Sequence, residues 1–219
     1  MPRILLPAQH LPVYAAALPL AGWAVHSGVL TARLNRARRD PLTGLLTRDG
    51  FTAAAARPLA HRNGLLVFID LDRFKHVNDS HGHQAGDAVL TRTAAYLTAW
   101  AGPRGVVGRF GGDEFTVALV QRPERIPARL DALTAALTAP TWDGIALDCS
   151  ASVGAVRTAD LPLSSLPAAL RAADAAMYQA KGYTDHHGGW VLAGPEHLHP
   201  DAPHRHRRTR DAATTDGAQ

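Results

Sequence analysis

The sequence predicts an α/β fold of the α+β kind, a mixed and mostly antiparallel central sheet flanked by helices. Three observations carry this expectation. Two apolar runs, Val106-Val107 and Phe115 to Val120, flank a turn containing Gly111-Gly112 and so read as a hairpin of antiparallel strands. An earlier apolar run, Leu65 to Asp70, is separated from that hairpin by a helix-like segment. Helix-like and strand-like segments then alternate through most of the remaining chain.

Taken in order, Phe51 to Leu59 reads as a helix. Leu65 to Asp70 is too short for a typical helix, follows Gly64 and ends in carboxylates, so it reads as a buried strand. Ala85 to Trp100 is a helix, the hairpin occupies 106 to 120, and Ile126 to Leu137 is a further helix. The alternating run Ile145 to Val156 is a strand, Ser165 to Lys181 a helix, and Trp190 to Leu192 a short closing strand. Cys149, the only cysteine, falls in the alternating run; a small core residue is its expected role, and no disulfide framework exists.

At 219 residues with 46% hydrophobic content, the chain holds one domain plus extensions. The net charge of +4 does not point to a nucleic acid polymer, because Arg33, Arg36, Arg38 and Arg39 precede the domain and Arg205, Arg207, Arg208 and Arg210 follow it. Residues 1–39 form an extension, 40–194 the domain and 195–219 a tail. No Asp, Glu, Lys or Arg lies between Arg3 and Arg33, and Leu11 to Leu30 is long enough to span a bilayer, with the arginine cluster holding that end on the cytoplasmic side. Pro12, Pro19, His26 and many alanines equally suit a soluble signalling helix or one that pairs with its copy. The tail lacks apolar periodicity and is expected to be disordered; His197, His199, His204 and His206 read as solvated rather than chelating.

Chemistry concentrates in two acidic segments. Asp113 and Glu114 follow Gly111-Gly112 directly, where backbone can approach a phosphate without an intervening side chain. Alone, such a segment reads as a solvated hairpin tip. The second segment, Asp70-Leu71-Asp72, ends the buried strand and delivers Asp70 to the sheet edge, where Asp113 meets it. Two hard oxygen ligands on neighbouring strands suit Mg²⁺, which takes one or two protein carboxylates and completes its shell with water and substrate phosphates. A sparse acidic site therefore implies a nucleotide triphosphate, and two bare buried carboxylates without a cation would be costly.

With these motifs in place, the sequence resembles the GGDEF-domain diguanylate cyclases, which join two GTP molecules into cyclic di-GMP. The resemblance runs through Asp40-Pro41-Leu42-Thr43-Gly44-Leu45, Asp70 to Asp79, Gly82-His83-Gln84-Ala85-Gly86-Asp87 and Arg109 to Phe115. It continues through Ser152-Val153-Gly154 and Ala172 to Lys181, covering about residues 40 to 192. It implies a palm-like nucleotidyl-cyclase fold, a cytoplasmic catalytic domain and a homodimer in which each domain brings one GTP. It further implies Asp70, the Leu71 carbonyl and Asp113 as ligands for Mg²⁺ or Mn²⁺, with Gly111, Gly112 and Glu114 completing the catalytic set. Asn78 and Asp87 match the guanine-reading positions, with a turn cap and a helix cap as their structural alternatives. Phe74 and Lys75 match a phosphate-loop segment, and Lys181 a triphosphate-binding lysine.

Two departures stand out. The family's product-inhibition motif, Arg-x-x-Asp, falls here on Gly102 and Gly105, neither of which offers a charged group to a cyclic dinucleotide. Asp185 replaces an arginine that commonly follows the lysine by four residues. An active cyclase, a degenerate GTP-binding regulatory module and a membrane-tethered scaffold are the three readings, and the intact set Asp70, Asp113 and Glu114 favours the first.

Overall fold

A computed structural model describes Trp23, residues 26–31, Arg33 and residues 37–162, 165–183 and 188–198. The chain divides into two units, Met1–Arg39 and Asp40–Gln219. In the first, residues 26–31 are helical. Most of Leu11 to Leu30 lies outside the described residues, and among those described no helix is long and apolar enough to cross a membrane.

Among the described residues, the second unit contains seven strands: Gly64–Asp72 (β1), Val106–Arg109 (β2), Glu114–Val120 (β3), Thr141–Trp142 (β4), Ile145–Ala146 (β5), Ser150–Arg157 (β6) and Gly189–Leu192 (β7). Its helices are Arg48–Leu59 (α1), Phe74–His81 (α2), His83–Ala101 (α3), Ile126–Leu137 (α4) and Leu166–Tyr183 (α5). The main sheet has the order β2-β3-β1-β6-β7; every pairing is antiparallel except that of β6 with β7. This is the mixed, mostly antiparallel sheet that the hairpin and the helix-separated strand predicted.

β1 is central, and all nine of its residues are buried, which explains its nearly continuous apolar run. Side chains alternate between two faces. Leu65, Val67, Ile69 and Leu71 join Phe115, Val117 and Leu119 in one core with α3 and α4, through Val89, Leu90, Leu97, Leu130 and Leu133. Leu66 and Phe68 join Phe51, Ala55 and Leu59 of α1 and Ala169, Ala172, Ala173, Ala176 and Met177 of α5 in the other. Each buried leucine or phenylalanine contributes on the order of 1.5–3 kcal/mol. The alternation carries Asp70 and Asp72 onto the same face as Leu66 and Phe68, beneath α5.

Four elements differ from expectation. Phe74 and Lys75 begin a helix rather than an irregular loop: α2 is short and polar, with Val77 as its only buried residue, so its sequence carries little helical periodicity. α3 starts at His83, which makes Asp87 an exposed fifth helical residue; the N-cap is Gly82, so Asp87 is not a cap. The expected strand from Ile145 is broken, because β4 and β5 form a small hairpin and β6 begins only at Ser150. Between them the Leu147 amide donates to the Pro140 carbonyl and the Ala139 amide to that of Cys149, each at 2.8 Å. Cys149 therefore lies before the strand, though still buried; burial first, then the nearby carboxylates, pushes its thiol up to about 12. Finally, order continues past Pro195. A 3-10 turn at Pro195–His197 buries His197, whose Nδ1 accepts from the Gly194 amide at 3.0 Å and whose Nε2 meets the Gln179 amide oxygen. His199, His204 and His206 lie outside the described residues.

Candidate metal and nucleotide site

Asp70 is 0% exposed near the C-terminal end of β1, with Glu114 of β3 opposite it on one side and Ser152 of β6 on the other. Asp113 immediately precedes Glu114, and its carbonyl accepts from the Leu71 amide at 3.1 Å. The two acidic segments thus meet at one sheet edge, as the strand reading required. The Leu71 side chain is buried in the opposite core, so only its backbone faces this edge.

The hairpin tip is held from outside the sheet. Phe110 donates its amide to the Glu114 carbonyl at 2.8 Å, leaving Gly111, Gly112 and Asp113 as the loop. Arg109 reaches across it, donating through Nε and Nη2 to the Gly112 carbonyl at 3.2 and 2.7 Å and through Nη1 to Asp40 Oδ1 at 2.9 Å. Asp40 also accepts from the Thr43 amide and hydroxyl at 2.8 and 2.6 Å. Burial alone would raise the Asp40 carboxyl, but the bonds from Thr43 and Arg109 outweigh it and hold the group below its ordinary range. The two glycines have different reasons. A Cβ on Gly111 would stand 2.7 Å from Glu114 Oε2, so its absence makes room for that carboxylate, whereas Gly112 faces open space.

Asp72, on the same strand face as Asp70, is fixed by hydroxyls from β6: Ser150 donates at 3.1 Å, and Ser152 at 2.8 and 3.0 Å to its two oxygens. Lys181, in the last turn of α5, places Nζ 2.5 Å from Asp70 Oδ1 and 3.9 Å from Asp72 Oδ1. Gly154 makes this reach possible. A Cβ there would lie 2.0 Å from the Ala173 carbonyl oxygen and 2.2 Å from the Met177 amide, so α5 rests directly on β6 and Lys181 follows one turn later.

The chain leaves β1 at Asp72 and enters α2 at Phe74 through Arg73 alone, which adopts left-handed backbone at φ 60. Arg73 also pairs with Asp148 at 2.7 Å, an exposed contact worth at most about 1 kcal/mol. The elbow between α2 and α3 turns at Gly82, with φ 81. A Cβ on Gly86 would stand 2.1 Å from Asn78 Oδ1, so this second glycine lets the Asn78 amide lie against α3 beside exposed Asp87. Lys75 is exposed in the first turn of α2.

The oxygen-only donor set at the β1–β3 edge fits a hard divalent cation that shares its coordination with a substrate. Among the described residues, no three His, Cys, Asp or Glu side chains converge into a self-sufficient cage. Lys181, expected on a triphosphate, is here the cation beside Asp70. Asp185 lies outside the described residues. Gly105 is confined, since a Cβ would stand 2.6 Å from the Ala101 carbonyl oxygen; an aspartate there requires the backbone to move.

Sequence reasoning passed over Asp72, Arg109, Asp40 and Gly154 as site-building residues. The two-residue spacings Asp70-Leu71-Asp72 and Ser150-Ala151-Ser152 were the available signal, because residues two apart on a strand share a face.

Residues 37–186 match the family described as diguanylate cyclase, GGDEF domain. The chain is 54% identical over 170 residues to a 19.3 kDa protein from the repSA 5′ region of Streptomyces ambofaciens, covering 77% of this chain and 91% of that one. It is 34% identical over 168 residues to the diguanylate cyclase DgcN of Escherichia coli, covering 73% of this chain but only 41% of the relative. The solved GGDEF domain of TpbB from Pseudomonas aeruginosa superimposes with a TM-score of 0.64 at 34% identity, covering 73% of this chain and 96% of that one. The palm-like cyclase fold expected from the motifs is thus the one found. On the match over residues 37–186, the chain belongs to the GGDEF domain family.

Proposed function

We propose that this protein is a diguanylate cyclase, condensing two GTP molecules into cyclic di-GMP with release of two pyrophosphates. The observation that carries the reading is the fully buried Asp70 carboxylate register-paired with Glu114 at the edge where Asp113 turns. Diguanylate cyclases among the relatives support it.

Asp70, Asp113 and the Leu71 carbonyl would hold Mg²⁺ or Mn²⁺, with Glu114 assisting; when bound, the metal lowers the cost of charge developing in phosphoryl transfer and activates the ribose 3′-hydroxyl. Arg109 keeps the Gly111-Gly112 backbone in place for the phosphates, and Lys75 and Lys181 supply positive charge toward the triphosphate. Asn78 and Asp87 read guanine: a carboxylate accepts from the ring N–H and the exocyclic amine, which adenine does not present in that arrangement. Each domain holds one GTP, so two copies must face each other before either 3′-hydroxyl has a phosphorus to attack. The uncharged stretch Leu11 to Leu30, followed by its arginine cluster, supports a membrane tether that raises the frequency of that encounter.

Product analysis of purified protein supplied with Mg²⁺ and either GTP or ATP tests this reading. Cyclic di-GMP is expected from GTP alone, and Asp87→Ala should erode the preference for GTP. A protein that binds GTP without turnover would instead be a regulatory or scaffold module.

A further inference from the structure

We propose that Lys181 is an exchangeable counter-ion of the metal site: by pairing with Asp70 it disfavours a bare divalent cation, and so makes the cation and the triphosphate bind together. The inference rests on the metal-site reading above and extends it to the order in which the site fills. Asp70 is 0% exposed, so its charge needs a partner, and Lys181 Nζ lies 2.5 Å from it. Lys181 itself is 41% exposed and sits on a flexible four-carbon stem at the end of α5, so it can swing away once a metal ion takes its place on the buried Asp70 carboxylate. Asp72, 3.9 Å away and held by Ser150 and Ser152, stays fixed and keeps the ammonium close to the site.

A divalent cation on Asp70 would stand against this ammonium. Like charges at such range, screened by water and salt, reduce affinity by about tenfold. A triphosphate removes that penalty by giving Lys181 new oxygens to meet, and the gain must be reciprocal between metal and nucleotide. Lys181 would thereby keep the site from filling with metal alone while still serving the nucleotide.

The test is a nucleotide-free Mn²⁺ titration of the full chain, followed by electron paramagnetic resonance of the free ion. Lys181→Met should bind Mn²⁺ about tenfold more tightly than the unaltered protein. Arg57→Met, which removes the same charge from the exposed side of α1, should leave affinity unchanged. Asp70→Asn should abolish binding. A non-hydrolysable GTP analogue should tighten Mn²⁺ binding more in the unaltered protein than in Lys181→Met. Equal or weaker Mn²⁺ binding by Lys181→Met, with Asp70→Asn still abolishing it, overturns the counter-ion role and leaves the metal site standing. Binding that survives Asp70→Asn removes the metal site itself, and the inference with it. Lys181→Gln repeats the measurement if the methionine variant folds poorly.

Discussion

Gly154→Ala adds one methyl group at the place where the fold has least room for it. The new Cβ would lie 2.0 Å from the Ala173 carbonyl oxygen and 2.2 Å from the Met177 amide, both backbone atoms of α5. Ordinary contact needs more than 1 Å of additional separation, and no flexible side chain can provide it. Either α5 lifts from β6 or β6 bends away. Removing a glycine also restricts the unfolded chain, which favours folding by about 0.4–1 kcal/mol. Overpacking costs about 1–3 kcal/mol or more, so the net change is destabilising. Lifting α5 also loosens the alanine-lined face formed by Ala169, Ala172, Ala173 and Ala176. Urea unfolding should therefore show a loss of about 1–3 kcal/mol, with Tm lowered by roughly 2–4 °C per kcal/mol. Because Lys181 rides on the same helix, turnover per folded molecule should fall as well. A variant as stable as the unaltered protein would refute the claim that α5 is seated on Gly154.

Arg109→Ala should cost about 1.5–3 kcal/mol and slow cyclic di-GMP formation at least ~10-fold, because the hairpin tip loses its tie to Asp40; Arg109→Lys should not rescue it, since a lysine lacks the guanidinium fork. The same tie sets an acid limb. The folded Asp40 carboxyl lies below its ordinary value, so its contribution to stability is present above about pH 4 and is lost as pH falls through the lower folded value. In Arg109→Ala that loss should be smaller and complete at a higher pH, as melts across pH 2 to 5 would reveal. Calorimetry with cyclic di-GMP on an Asp113→Asn background should detect no tight site, because Gly102 and Gly105 carry no charge; micromolar or tighter binding would contradict this. If Leu11 to Leu30 spans the membrane, protein carrying it should pellet with membranes and resist carbonate extraction while a chain starting at Arg38 should not, whereas recovery in the soluble fraction would favour a helix that pairs with its copy.

The elements most legible from sequence were those whose periodicity and burial agree. β1 is apolar from Leu65 to Ile69 because a core covers each of its faces, and α4 over Ile126–Leu137 matches its expected bounds because Ile126, Leu130, Leu133 and Leu137 mark one stripe. α2 left little trace, since eight mostly polar residues bury only Val77 and owe their helical state to the turns at Arg73 and Gly82. The break at Leu147 to Cys149 was hidden by residues that are buried without belonging to a strand. At the site, the meeting of Asp70 with the hairpin could be read from strand ends. The pairing of Lys181 with Asp70 could not, because it depends on how closely α5 approaches β6, a distance set by Gly154 across 27 positions of sequence.

The proposed activity requires that the edge formed by Asp70, Asp113 and Glu114 carry out phosphoryl transfer between two GTP molecules. Its most direct test follows conversion of α-phosphate-labelled GTP by the unaltered protein and by Asp113→Asn, with circular dichroism to confirm that both are folded. The unaltered protein should yield cyclic di-GMP and pyrophosphate with a specific activity that rises with protein concentration as copies pair, and the variant should lose at least ~100-fold. Near-normal turnover by folded Asp113→Asn, or no cyclic di-GMP from the unaltered protein at any concentration, would contradict it.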